Sequence, residues 1–404
     1  MNLLRPQPTG IFPLPAGYLV LPDTADTAAL ELILRGELPD ELPPEWGFFR
    51  LAAHGDITAA LNALTDGDPI SAYNRFVLNS TPEAYAALQT ELPAELLPLL
   101  HVVAYTLGYI DMPPPTDDAH DELLAMVLMV QATHSLEQNN ALVAAQLLEQ
   151  AIVAAKPVSI GFAAQLTATL ADTQRMTPAK APFAIQIYKA ALDMLEKTAL
   201  EGNRAECWLN LGMTYHEMAN GRRGVLMEAV KCYQQSIRFF TRENYPELYA
   251  LAQNNLALAY LTMPMVEASD QLRMAIAVQS LKEALKIYTR ETHPQMWASA
   301  QLNLANALQY LPSTHTDENI VQAVEIYEEL LDVRNRNADP VGYARLLANQ
   351  GNALAHLGIF DHATEKLQDA AGLFARAGMH DAVESIQGVL DQIAAQQGEK
   401  DAAT

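Results

Sequence analysis

The sequence predicts an all-α protein of 404 residues: an α-α superhelix of stacked helix pairs, preceded by a mainly helical N-terminal domain. Three observations point there. First, four segments read alike: WLNLGMTY (208–215), QNNLALAY (253–260), QLNLANAL (301–308) and LANQGNAL (347–354). Their shared asparagine recurs at 210, 255, 303 and 349, spacings of 45, 48 and 46 residues. Second, each segment is followed by another helical block in which an alanine precedes a large apolar residue by four: Ala229 and Tyr233, Ala277 and Leu281, Ala323 and Tyr327, Ala363 and Leu367. That spacing puts both on one helix face. Third, Pro246, Pro294 and Pro340 separate one pair from the next, where a helix must stop and another start. A helix pair at this period cannot bury its apolar stripe alone, whereas a stack of pairs shares one continuous core.

Trp208, Leu211, Gly212, Tyr215, Ala229 and Tyr233 resemble the tetratricopeptide signature W-x2-L-G-x2-Y followed by A-x3-F, with Tyr233 in the Phe slot. The unit from Ala344 to Ala377 has about the usual length of ~34 residues and the turn Leu357-Gly358-Ile359-Phe360-Asp361. The earlier units carry extra residues between their helices, at about 219–227, 264–275 and 312–320. With their Asn-Asn-Leu-Ala segment they look like kinesin light chain repeats and long bacterial tetratricopeptide arrays. Small residues at Gly212, Ala257, Ala305 and Gly351 stand where such helices approach closely.

Two weaker units precede these, one with Leu166 and Leu170 leading to Ala184 and Tyr188, in register with Leu211 at 45 residues from Leu166. About six pairs therefore fill 121–377, a capping helix follows at 378–397, and the tail 398–404 is expected to be disordered. Residues 1–112 form the separate N-terminal domain, with an extended segment at 10–22 packing on helices predicted at about 25–35, 44–53, 56–65, 69–78, 81–91 and 93–110. Ser80-Thr81-Pro82-Glu83 reads as a capping box. The proline run 113–115 lies in a predicted linker, 113–120.

Composition excludes several classes of function. With Lys+Arg 25 against Asp+Glu 48 the net charge is −23, the wrong sign for nucleic acid or an anionic membrane surface. No apolar run approaches the ~18 residues of a membrane span, and the N-terminus lacks a signal core, so a cytoplasmic location is expected. Cys207 and Cys232 read as small core residues in a reducing compartment. No phosphate loop, G-x-S-x-G elbow or H-E-x-x-H motif occurs. The acidic stretch 117–122 reads as the start of a helix rather than a cation site. The histidines offer no convergent ligand set, so neither catalysis, cofactor nor metal is expected.

The asparagines carry the functional reading. An amide holds a peptide backbone through donor and acceptor alike, and it also ties helix to helix. Asn210, Asn255, Asn303 and Asn349 are assigned to ties. For Asn254, Asn306 and Asn352, on the adjoining face, the groove reading stands beside the tie. The resemblance implies that first helices line a concave groove. Its residues would be these three asparagines with Met213, Leu258, Leu302, Gln309, Tyr310 and Arg345, alongside Met126, Met129, Leu209, Leu261 and Ala348. Such a surface suits a peptide or amphipathic helix. With Arg345 as the one cation near it, an acidic ligand tail is not expected. The expected function is a non-catalytic interaction scaffold or adaptor. A dedicated assembly factor for one client and a ligand-responsive sensor are the alternatives.

Overall fold

The structure, a computed structural model, describes residues 7–8, 10–24, 26–65, 67–177, 180–264, 270–311 and 315–403. Within them the regular structure is helical, apart from one antiparallel ladder in which β1 (Gln7–Pro8) pairs with β2 (Val20–Leu21). It divides into two compact units, Met1–Met218 and Ala219–Thr404.

The first unit opens with short helices α1 (Thr27–Ile33), α2 (Gly47–Ala53), α3 (Ile57–Ala63), α4 (Pro69–Leu78), α5 (Pro82–Glu91) and α6 (Leu97–Thr106), close to the predicted spans. Side-chain caps set several of their starts: Asp26, Asp56 and Asp68 accept amides of the first turn. At α5 the cap is Thr81, one residue beyond the Ser80 that the capping box would use, with Pro82 at the first helical position. The predicted extended segment forms the ladder's second strand and a 3-10 turn at Ala16–Tyr18. Asn74 of α4, 1% exposed, clasps Val20 from both sides, accepting its N–H at 2.8 Å and donating to its carbonyl at 2.9 Å.

Five longer helices complete this unit, the first four each packed on the next: α7 (Asp121–Glu137), α8 (Ala141–Ala155), α9 (Ile160–Arg175), α10 (Ala181–Leu195) and α11 (Glu201–Met218). The expected boundary at 113–120 lies inside the unit. One apolar core runs from Ile11 through Trp46 and Phe76 to Met126, Phe162 and Leu170, so residues 1–112 and the first repeat helices share an interior. The proline run is strapped down by Gln131 Nε2 donating to Pro114 O at 2.7 Å, and Ala119 is buried beside Val102 and Val127.

The second unit holds α12 (Arg223–Ile237), α13 (Pro246–Leu261), α14 (Asp270–Ala284), α15 (Pro294–Gln309), α16 (Thr316–Val333), α17 (Pro340–His356), α18 (Phe360–Arg376) and α19 (His380–Ala403). Successive helices pack on one another, and α13 also touches α15 as α17 touches α19. The alanines that open the second blocks, Ala229, Ala277, Ala323 and Ala363, are fully buried, as are Ala257 and Ala305. A Cβ on Gly351 would lie 2.7 Å from Leu367 Cγ, so α17 and α18 cross there only because the side chain is absent.

Two expectations change. The predicted insertion at 219–227 is mostly helix, since α12 begins at Arg223; the other two, at 264–275 and 312–320, fall partly outside the described residues. Extra length lies instead between pairs, where one turn recurs. Thr241, Thr289 and Asn335 each accept a downstream amide through the side chain, and each carbonyl accepts from the residue four on. The tail expected to be disordered, 398–404, is helical to Ala403, in keeping with helix formers on either side of Gly398; Thr404 lies outside the described residues.

Candidate functional site

Two hydrogen-bonded ties organise the repeat helices. In the second unit Tyr327 of α16 is fully buried, and its hydroxyl donates to Asn306 Oδ1 at 2.6 Å. Asn349 of α17 donates to the same oxygen at 3.0 Å, while Gln309 Nε2 donates to the tyrosine oxygen at 2.5 Å. In the first unit Tyr188 of α10 donates to Asp172 Oδ1 at 2.5 Å and Asn210 of α11 donates to it at 3.0 Å. One acceptor thus joins three helices in each case.

The ties correct the repeat register. Asp172 stands where Asn306 does, twelve residues after the first of its helix, so Leu170 rather than Leu166 matches Leu211 and Leu304. The slip arises because α16 carries one more turn ahead of its tyrosine than α10 does.

Burial shapes the electrostatics. It holds the Asp172 carboxyl above its ordinary range, against the opposing pull of the Tyr188 hydroxyl, the Arg175 guanidinium and the Asn210 amide. It also pushes the Tyr188 hydroxyl far up, with the Asp172 charge adding to the shift, and it raises Tyr327 strongly.

The asparagines do not divide as the sequence suggested. Asn210 and Asn349 are ties. Asn306 is the acceptor of one, so its oxygen is committed inside the array. Asn255 and Asn303 hydrogen-bond to no described residue. For Asn303 the reason is visible, since Leu258 and Leu281 occupy the places that Asn306 and Tyr327 take one pair later. Asn352 repeats the position of Asn306, but Leu367 and Val389 stand where a tyrosine and an asparagine would complete the tie. Its buried Oδ1 has no hydrogen-bond partner among the described residues, and neither has Asn254 Oδ1.

Of the remaining predicted residues, Gln309 is 9% exposed and spent on Tyr327. Tyr310 is 62% exposed at the end of α15, and Arg345 is exposed on α17. Met213, Leu258 and Leu302 are half-buried. Met126 and Leu209, each 1% exposed, belong to the interior and line no surface.

Two clefts flank α17. One, of ≈530 Å³, opens between α15, the end of α16 and α17, and is lined by Leu302, Trp297, Leu346, Arg290 and Arg334 among others. The other, of ≈280 Å³, lies between α17, α18 and α19 and brings together Arg345, Asn349, Asn352 and Ser385. Four of the predicted surface residues, Leu302, Arg345, Ala348 and Asn352, therefore line clefts between helices. Sequence reasoning missed Arg290 and Arg334. The repeated Thr-Arg-Glu-x-x-Pro string at 241–246 and 289–294 marks the turn that places Arg290.

Among the described residues no helix is long and apolar enough to cross a membrane, and no cluster of His, Cys, Asp or Glu could hold a metal ion.

No protein-family profile matches the chain, and no curated protein matches it. Among solved structures it is similar to PilF of Pseudomonas aeruginosa, at 17% identity over 66% of this chain and 97% of that one, with a TM-score of 0.43. It is similar to a tetratricopeptide repeat protein from Parabacteroides merdae, at 14% identity over 67% and 99%, TM-score 0.41. It is also similar to the apo form of RapI, at 12% identity over 87% and 96%, TM-score 0.47. These likenesses concern the fold alone. The chain's own helix pairs, the small residues at their crossings and the signature running from Trp208 to Tyr233 make it, in fold, a tetratricopeptide-type repeat protein.

Proposed function

We propose that the chain is a non-catalytic scaffold or adaptor that holds a segment of a partner protein, a peptide or amphipathic helix, on the face built by the first helices α13, α15 and α17. The observation that carries this reading is the pair of clefts beside α17, lined by Leu302 on one side and by Arg345 and Asn352 on the other. Amides on the same helices that hydrogen-bond to no described residue, Asn255 and Asn303, add donors and acceptors that read backbone rather than charge. The buried Cys207 and Cys232 fit the cytoplasmic location that belongs to this reading. The test places a photo-crosslinking side chain at 302, 310 or 345 in the full chain, with position 321 of α16 as control. Adducts with a partner protein from the first three positions and none from the control are expected. Adducts from the control alone would refute the reading.

A further inference from the structure

Two positions of the first unit that correspond to lining residues of the ≈530 Å³ cleft are covered by other parts of the chain. Overlaying the two ties sets α9, α10 and α11 in register with α15, α16 and α17. Gly161 and Gln165 then take the places of Gln295 and Ser299, both of which line the cleft. In the first unit these positions are covered by the N-terminal residues Ile11 and Leu34 and, at Gly161, by Leu200 as well. Gln165 Nε2 donates to the Ile11 carbonyl at 3.3 Å. A Cβ on Gly161 would meet Leu200 Cδ1 at 3.2 Å, Leu34 O at 3.2 Å and Ile11 Cγ2 at 3.4 Å. What lies there is the non-helical chain at Ile11, held by one amide-to-carbonyl bond and by apolar contact, together with the carbonyl that ends α1 at Leu34 and the Leu200 side chain.

The second unit keeps the shape and changes the charge. Arg290 and Arg334 line the cleft where the register of the first unit has Lys156 and Leu195. Arg334 is aimed by Asp339, Nε to Oδ2 at 3.3 Å, and by the Gly342 carbonyl at 3.4 Å. Arg290 is exposed and pairs with no described residue, although the chain carries 48 acids. None of the side chains lining the cleft is acidic, and Trp297, Leu302 and Leu346 supply an apolar floor. A guanidinium at the rim of a largely apolar cleft favours a carboxylate, because the pair is screened less there than in open water.

We infer that this cleft takes an extended, non-helical segment of a partner chain that carries a carboxylate beside a large apolar side chain. The apolar group sits against Trp297 and Leu302, the backbone carbonyl meets Gln295 or Ser299, and the carboxylate meets Arg290 and Arg334. The inference rests on the adaptor reading for its class of partner. It revises the expectation that an acidic ligand tail would not suit this face, because the turns between pairs bring in two cations beyond Arg345.

The probe is the N-acetylated tetrapeptide Thr-Gly-Ile-Phe, copied from residues 9–12, with a free C-terminal carboxylate, set against its C-terminal amide. Each is titrated calorimetrically into the full chain. The acid is expected to bind about tenfold more tightly than the amide, with an advantage that shrinks in high salt. Arg290→Gln with Arg334→Gln brings the acid down to the affinity of the amide. Leu302→Trp, which fills the cleft, removes binding of both. Equal affinities for acid and amide, an unchanged preference in the double arginine variant, or no binding of either peptide at millimolar concentration would overturn the inference. Crosslinks at 310 and 345 together with equal acid and amide affinities would sink this inference alone. Absence of crosslinks from all three first-helix positions would sink the wider reading.

Discussion

Replacing Tyr327 by Phe isolates the tie that joins α15, α16 and α17. Tyr327 has no exposed surface, and its hydroxyl accepts a hydrogen bond from Gln309 Nε2 at 2.5 Å and donates one to Asn306 Oδ1 at 2.6 Å. Removing that oxygen deletes both bonds and strands the Gln309 amide, which is 9% exposed. A net hydrogen bond contributes about 0.5–1.5 kcal/mol and a stranded buried donor costs about 1–3 kcal/mol, so Tyr327→Phe should cost about 2 kcal/mol. Asn306→Ala should cost about as much, because it leaves the Tyr327 hydroxyl and the Asn349 amide without their shared acceptor. The chain itself supplies the control. One pair earlier, Leu281 and Leu258 fill the same two places with no polar atom. Tyr327→Leu combined with Asn306→Leu should therefore cost less than the two single changes added together, by about 1–2 kcal/mol of coupling. Urea unfolding followed by circular dichroism and by intrinsic fluorescence gives the three numbers, and coincidence of the two probes checks that one transition is being read. A loss below about 0.5 kcal/mol for Tyr327→Phe, or strict additivity in the double variant, would refute the tie.

Other perturbations follow from the same contacts. Asp172→Asn should leave stability at neutral pH unchanged or higher, since asparagine fills the equivalent place at Asn306. The folded carboxyl has its proton affinity raised by burial, so its contribution is favourable below that raised range and is lost as pH rises through it; pH-dependent melting should show the wild type gaining on the variant as pH falls. Gly351→Ala should cost about 1–3 kcal/mol in thermal unfolding, because the new Cβ would stand 2.7 Å from Leu367. Asn74→Ala should release the N-terminal strand, seen as faster amide exchange at Val20 and a stability loss of about 2 kcal/mol from two buried backbone groups left unpaired.

Much of the fold was legible because it is periodic and local. The alanine–tyrosine spacing, the prolines between pairs and the caps of the short N-terminal helices depend on residues within a few positions of each other, and the structure places helices there. The asparagines were harder because their roles depend on partners far along the chain. Asn306 and Asn352 share a local motif, yet one faces Tyr327 and Asn349 while the other faces Leu367 and Val389. Arg290 and Arg334 escaped notice because they sit in turns rather than on the helices that define the surface. The division after Met218 falls inside a repeating pattern, where no change of composition marks it. The interior shared by residues 1–112 and the first repeat helices depends on contacts such as Ile11 with Gly161, which no local pattern encodes.

Partner affinity with one cleft blocked tests the central claim most directly. Leu302→Trp fills the ≈530 Å³ cleft, while Val321→Trp enlarges a side chain that is already 45% exposed on α16. With the partner recovered by crosslinking, Leu302→Trp should weaken binding by at least about tenfold and Val321→Trp should leave it unchanged. Equal affinity for wild type and Leu302→Trp, with the loss falling on Val321→Trp, would contradict the account.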